Sequence, residues 1–259
     1  MKKLLLVCAL TLFAILPALA ADNPFAGTWK LDPSKSHLTG ETFTYSKAPN
    51  GMIRYDDGAV SSDFGIDGKP YPMANGHTTT WTANSDRSWT SVNKFNGTVM
   101  GTVQRELSAD GKTYTLHAVG KQADGTPYDE TIVYTRVSGN SGLIGKWRDT
   151  KFTQQESSTM AVSFPSPGVI KWEFPEDKAF VTGKTDGSDL PFSSPILSGN
   201  FTMSIRMDGP RKLSYTSKLD GKPIQYGTDT VSADGKTITD VTWKPGKESE
   251  KQTGIYIKQ

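Results

Sequence analysis

The hexapeptide Ser108-Ala109-Asp110-Gly111-Lys112-Thr113 occurs again as Ser232-Ala233-Asp234-Gly235-Lys236-Thr237. The match runs upstream without a gap: residues 75–115 laid over 199–239 set Arg87 on Arg211, Lys94 on Lys218 and Gly97 on Gly221. Trp81 falls on Ile205, Trp89 on Leu213 and Tyr114 on Ile238, apolar on apolar. A period of this length means one folding unit present twice. The ends repeat as well. Gly27-Thr28-Trp29 returns as Gly145-Lys146-Trp147, and Ile132-Val133-Tyr134-Thr135-Arg136 is answered by Gly254-Ile255-Tyr256-Ile257-Lys258.

Each copy reads as β structure. Asn-Gly or Asp-Gly pairs stand at 50–51, 57–58, 67–68, 75–76, 96–97, 110–111 and 124–125, and similar turns punctuate the second half. Such pairs supply the positive φ of tight hairpins, and a spacing of roughly 8–12 residues marks an antiparallel domain. Between them, Tyr114, Leu116 and Ala118 alternate with Thr113, Thr115 and His117, while Gly101, Val103, Arg105 and Leu107 share one face of their strand. No window offers a helical stripe of three turns. The expectation is all-β: two tandem antiparallel up-and-down barrels of about eight strands each. Residues 21–137 would form the first and 143–259 the second. Ser138-Gly139-Asn140-Ser141-Gly142 reads as the flexible linker between them.

Residues 1–20 combine Lys2 and Lys3, an apolar run and Ala18-Leu19-Ala20, the pattern of a secretory signal peptide cleaved after Ala20. The expected location is periplasmic or secreted. The segment carries the one cysteine, Cys8, so no disulfide framework is available. Of the 29 Lys and Arg, Lys2 and Lys3 lie in it, and the remainder balances the 27 Asp and Glu. A neutral chain argues against nucleic acid as a partner. No later apolar run is long enough for a transmembrane segment.

The doubled Gly-x-Trp with a basic residue at the close of each last strand resembles the lipocalin-like (calycin) barrels. The resemblance implies a Trp plugging the closed end of each barrel with the terminal cation across its ring. Carried over copy by copy, Trp29 would pair with Arg136 and Trp147 with Lys258. The wider pattern at 27–36, Gly-Thr-Trp-Lys-Leu-Asp-x-x-Lys-Ser, together with Ser-x-Asp-Gly-Lys-Thr, is similar to exported bacterial lipocalin-like proteins of uncharacterised function. Avidin-like barrels share the signature. Leu31-Asp32-Pro33-x-x-Ser36 followed by Phe43 resembles isoprenoid-binding periplasmic barrels in one copy alone. After Trp147 the second copy departs from the pattern, with Asp149-Thr150-Lys151.

No catalytic set emerges. The repeated hexapeptide lacks the first glycine of a phosphate loop and leads into a strand, so it reads as a hairpin turn. Asp56-Asp57-Gly58 and Asp186-Gly187-Ser188-Asp189 lack the spacing of a calcium loop. His37, His77 and His117 all lie in the first copy and assemble neither a metal set nor a triad. Asp129 and Glu130 are adjacent on a strand and face opposite sides. The expectation is therefore a protein that is not an enzyme, with no cofactor and no metal. Aromatics are the candidates to line the interiors: Tyr45, Trp81, Trp89, Tyr114 and Tyr134 in the first copy, with Trp172, Phe201, Tyr215, Tyr226 and Tyr256 in the second. Together with inward Thr, Ser and Gly they suggest room for one small hydrophobic or amphipathic molecule. The other reading is a structural module with filled barrels that docks on an envelope protein.

Overall fold

The computed structural model describes residues 23–74, 76–154 and 158–259, so the expected signal peptide lies outside the described residues. Strand β1 (Gly27–Leu31) is followed by β2 (Thr42–Lys47), β3 (Ile53–Asp56), β4 (Ser61–Phe64), β5 (Pro70–Pro72), β6 (Thr78–Ser85), β7 (Ser88–Phe95), β8 (Thr98–Leu107), β9 (Thr113–Lys121), β10 (Pro127–Ser141) and β11 (Ile144–Gln154). Then come β12 (Thr159–Ser166), β13 (Val169–Phe174), β14 (Ala179–Lys184), β15 (Asp186–Ser193), β16 (Phe201–Gly209), β17 (Lys212–Leu219), β18 (Lys222–Val231), β19 (Thr237–Trp243) and β20 (Gln252–Lys258). The fold is all-β, in two ten-stranded antiparallel barrel-like sheets rather than sheets of about eight. In the first sheet the surplus comes from the short strands β3, β4 and β5, cut apart by the turns around 57–58 and 67–68.

The sheets do not follow the repeat. Barrel 1 runs β4-β3-β2-β11-β10-β9-β8-β7-β6-β5, and barrel 2 closes as β1-β12-β13-β14-β15-β16-β17-β18-β19-β20. The two copies have exchanged their opening strands: β11, which begins the second copy, completes barrel 1, and β1 inserts between β12 and β20. Residues 138–142 are thus no linker. They belong to the end of hairpin β10–β11, where the register shifts and Gly139 packs against Gly145. The small polar composition that suggests a linker serves this bulged close approach. A short turn at 142–143 holds β11 beside β10 at little loop-closure cost, so barrel 1 takes that strand and β1 is left to barrel 2.

The exchange also changes the aromatic–cation partners. Trp147 lies directly across from Arg136, whose guanidinium stacks 4.1 Å over the indole; Trp29 lies across from Lys258, whose ammonium is 5.1 Å from the ring centre. Both indoles are fully buried. Trp29 Nε1 donates to the Phe25 carbonyl at 2.8 Å and Trp147 Nε1 to that of Leu143 at 2.9 Å, so neither buries an unpaired N–H. The glycine of Gly-x-Trp has a steric role. A Cβ at Gly27 (φ +139°) would stand 2.7 Å from Lys258 Cε, and one at Gly145 (φ +149°) would stand 2.8 Å from Arg136 Nη1 and closer still to the Ser138 carbonyl, so glycine makes room for the cation at both and for the neighbouring backbone at Gly145. The repeated hexapeptide turn buttresses the same end of each barrel. Ser108 Oγ donates to Asp110 Oδ1 at 2.6 Å, the Gly111 carbonyl accepts from Arg136 Nε at 2.6 Å, and Ser232 with Asp234 builds the matching turn below Lys258.

The connector after β1 ties the barrels together. His37 exchanges backbone hydrogen bonds with Thr253 on β20, and farther on Gly40 and Glu41 bond to Asp149 on β11. Beyond it, Lys244 Nζ sits 2.9 Å from Glu41 and 2.8 Å from Asp57, and the buried Thr42 donates to the Glu250 carboxylate. Burial pushes the Asp57 carboxyl up, but Lys244 and the N–H groups of Val60 and Ala59 outweigh it and hold it below the ordinary range. The exchange predicts which barrel each tryptophan supports. Trp29→Ala should cost about 3–5 kcal/mol and strip amide protection from β12–β20, while Trp147→Ala should do the same to β2–β11. Hydrogen exchange read by mass spectrometry checks this, and loss of protection in β2–β10 on Trp29→Ala would contradict the exchange.

Candidate functional site

Each barrel keeps an interior cavity. In barrel 1 it measures about 330 Å³, walled by Phe43, Tyr45, Tyr55, Phe64, Trp81, Tyr114 and Tyr134, with Ser62, Thr79, Asn93 and Arg105 as polar members. The strand alternation places these residues: Tyr114 and Leu116 point inward from β9, as Val103 and Arg105 do from β8. Four of the five aromatics expected in the first copy, Tyr45, Trp81, Tyr114 and Tyr134, meet here. Trp89 is buried in the surrounding core instead.

The rings pack edge to face and in stacks: Tyr45 and Trp81 lie 6.3 Å apart at 88°, and Phe64 stacks on Trp81 at 4.4 Å. Into this apolar wall projects Arg105, 8% exposed. Its guanidinium lies 3.9 Å over the Trp81 ring, and Nη1 donates to Ser91 Oγ at 2.7 Å. Its Nε–H has no acceptor, and among the described residues no carboxylate stands within ion-pair distance. The Tyr114 hydroxyl, fully buried beside it, makes no hydrogen bond of ordinary length, its polar neighbour being the Tyr45 phenol. Burial raises the Tyr114 phenol, with Tyr45 adding to the effect, so it is a neutral donor. A guanidinium and a phenol therefore face one apolar cavity with hydrogen-bonding capacity unspent. Between β4 and β5 the barrel 1 sheet has no ladder, which leaves a seam next to Phe64.

In barrel 2 the cavity measures about 280 Å³, lined among others by Trp172, Phe174, Tyr215, Tyr256, Asp240, Gln225 and Gln252. A depression of about 300 Å³ adjoins it through shared Phe174, Met203, Ser217 and Gln225, and Phe201 lies there. Trp172, Tyr215 and Tyr256 thus line the interior. Tyr226 does not: it alternates with the inward Gln225 and Gly227, and its ring lies tilted at 35° and 5.9 Å from that of Trp243 on the other face. The inward stripe of β18 has room there because Gly227 lies under the Tyr215 ring.

The histidines lie apart from both cavities. His117 Nε2 meets Asp129 at 2.8 Å with both side chains partly exposed, and His77 bonds the Ile196 carbonyl at 2.7 Å, across the barrels. Among the described residues no three His, Cys, Asp or Glu side chains gather as a metal site.

Sequence reading passed over the two most distinctive interior groups. Arg105 shares one face of β8 with Val103 and Leu107 in the alternation, with nothing there to single it out, and its repeat partner is Asp229. The duplication thus carries a buried cation in one barrel and a buried acid in the other, at equivalent positions. Asp229 is 1% exposed; its carboxyl bonds that of Asp240, which accepts from the Tyr215 hydroxyl at 2.9 Å. Two opposed charged residues on one aligned inward stripe were the available signal. No family model, curated protein or solved structure matches this chain.

Burial, then the neighbouring Asp240, raises the Asp229 carboxyl well above the ordinary range, and no basic group offsets them; Tyr215 and Tyr256 are the other titratable faces of this cluster. The folded chain then holds a proton the unfolded chain has released, so this residue's contribution to stability falls as pH rises from the ordinary carboxylate range toward the raised value. Asp229→Asn keeps the shape and a donor toward Asp240 while removing that proton. Its thermal melting point should gain on the wild type progressively between about pH 4 and pH 8. A constant difference across that range would contradict the assignment.

Proposed function

We propose that this chain is a small-molecule binding protein, with barrel 1 holding an amphipathic ligand whose apolar body lies among the aromatics and whose anionic group meets Arg105. One observation carries the reading: a buried guanidinium without a carboxylate faces an aromatic cavity beside a phenol that makes no hydrogen bond of ordinary length. An unpaired buried charge costs several kcal/mol by general experience, and stacking on Trp81 returns only about 2. A bound carboxylate or similar anion would complete the guanidinium's hydrogen bonds and accept from Tyr114. The seam between β4 and β5 would admit it.

The barrel-end tryptophans and their cations support a lipocalin-like architecture, and the leader-like residues 1–20 support an exported location, periplasmic or secreted. A filled structural barrel, the other reading, would leave neither cavity nor orphaned donors. Among the described residues no helix is long and apolar enough to cross a membrane.

Calorimetry with naphthaleneacetate and the matching neutral alcohol tests the reading. The carboxylate should bind at least about tenfold tighter than the alcohol, a difference of about 1.4 kcal/mol. Arg105→Met should erase that preference while leaving thermal stability equal or higher, since it removes a buried unpaired charge. Equal affinity for acid and alcohol, or an acid preference that survives Arg105→Met, would refute the proposal.

A further inference from the structure

Barrel 2 does not repeat the chemistry of barrel 1. Where β8 presents Arg105, the equivalent place on β18 presents Asp229; where β9 presents Leu116, the equivalent place on β19 presents Asp240. Asp240 lines the barrel 2 cavity, and Asp229 stands behind it. Burial raises the Asp240 carboxyl, while the hydrogen bonds from Asp229 and from the Tyr215 hydroxyl, which donates to Oδ1, work against it and favour the charged form. Among the described residues no Lys, Arg or His lies within ion-pair distance of either acid.

An acid pair alone would be no site. One further polar group in the same interior is unspent, however: Trp172, which lines the cavity and is 4% exposed, has an Nε1–H with no acceptor, which an oxygen on the ligand's carbon body would satisfy and its ammonium would not. Trp172 and Tyr215 meet edge to face at 5.3 Å, and Phe174 stacks on Trp172 at 5.7 Å, giving π faces beside the carboxylate. Carboxylate plus aromatic faces is the combination that recognises an organic cation, by charge-assisted hydrogen bonds and by cation–π attraction.

We infer that barrel 2 is a second binding site, independent of barrel 1 and opposite to it in charge preference, which takes a small organic ammonium with its N–H groups on Asp240 and its carbon body against Trp172 and Phe174. Asp229, protonated, is a positioning residue: it donates to Asp240 and keeps a single negative charge at the cavity wall. Two full charges so close would repel, and the outer one would be harder to hold ionised. The same scaffold would then serve an anion in one barrel and a cation in the other.

Calorimetry on the full chain with benzylamine, benzyl alcohol and benzoate at neutral pH tests this. Benzylammonium should bind saturably and at least about tenfold tighter than the alcohol. Asp240→Asn should lower amine affinity by at least about tenfold, Arg105→Met should leave it unchanged, and Asp229→Asn, which keeps the donor, should hold it within about threefold. Hydrogen exchange confirms that each variant keeps barrel 2 protected. Should Asp240→Asn not fold, the wild-type comparison of amine with alcohol decides by itself. Equal binding of amine and alcohol, absence of saturable amine binding, or full amine affinity in a folded Asp240→Asn would overturn the inference. Failure of the acid probe at barrel 1 would leave it standing, because the two sites share no residue.

Discussion

A cation lying across a buried indole, admitted by a glycine two residues before it, holds each barrel shut at one end. The three parts are inseparable. Without the glycine a side chain would occupy the space of the cation; without the cation the polar end of the barrel would lose its cover over the ring. Because the indole is supplied by an exchanged strand, the lock joins sequence neighbours in barrel 1, Arg136 and Trp147, and opposite ends of the described chain in barrel 2, Trp29 and Lys258. The connector that carries β1 away from barrel 1 then lies along β20 and returns past Asp149 on β11. The ion pairs of Lys244 and the bonds of Thr42 follow from that path.

Much of the architecture was legible in the residues. The repeat, the Asn-Gly and Asp-Gly turns and the alternation in β8 and β9 give an all-β chain of two similar sheets, and they place Tyr114 and Leu116 inside. The pairing of Trp29 with Arg136 was not legible correctly, for a physical reason. An opening Gly-x-Trp strand fits either copy's vacancy equally well, so the residues name the socket without saying which one is filled. The decision rests on the short turn at 142–143, and the glycines and serines of residues 138–142 leading into it look like a spacer. Tyr226 failed for a smaller reason: an aromatic was counted by type, whereas its neighbours Gln225 and Gly227 occupy the inward positions.

The interiors teach the converse lesson. Positions that shape the barrel agree between copies, including the hexapeptide turn, the plug and Trp89 against Leu213. Polar positions on the interior faces have diverged, from Arg105 to Asp229, Ser91 to Tyr215 and Leu116 to Asp240. Apolar-for-apolar matching finds the scaffold and is blind to this, because a buried charge is a departure from the pattern used to recognise the core. Such departures are costly to folding and therefore point to function.

The exchange of β1 also sets an order of assembly. Residues 42–154 hold every strand of barrel 1 in one continuous run, so that unit can close as soon as Gln154 has emerged from synthesis. Strand β1 is made earlier, yet one of its two neighbours is β20, close to residue 259. Until then it has at most β12 beside it, with one edge open and its tryptophan uncovered by Lys258, and every other strand is made before it can be fully seated. The earliest described strand is the last to find both partners, and barrel 2 cannot close around its core before β20 has been made.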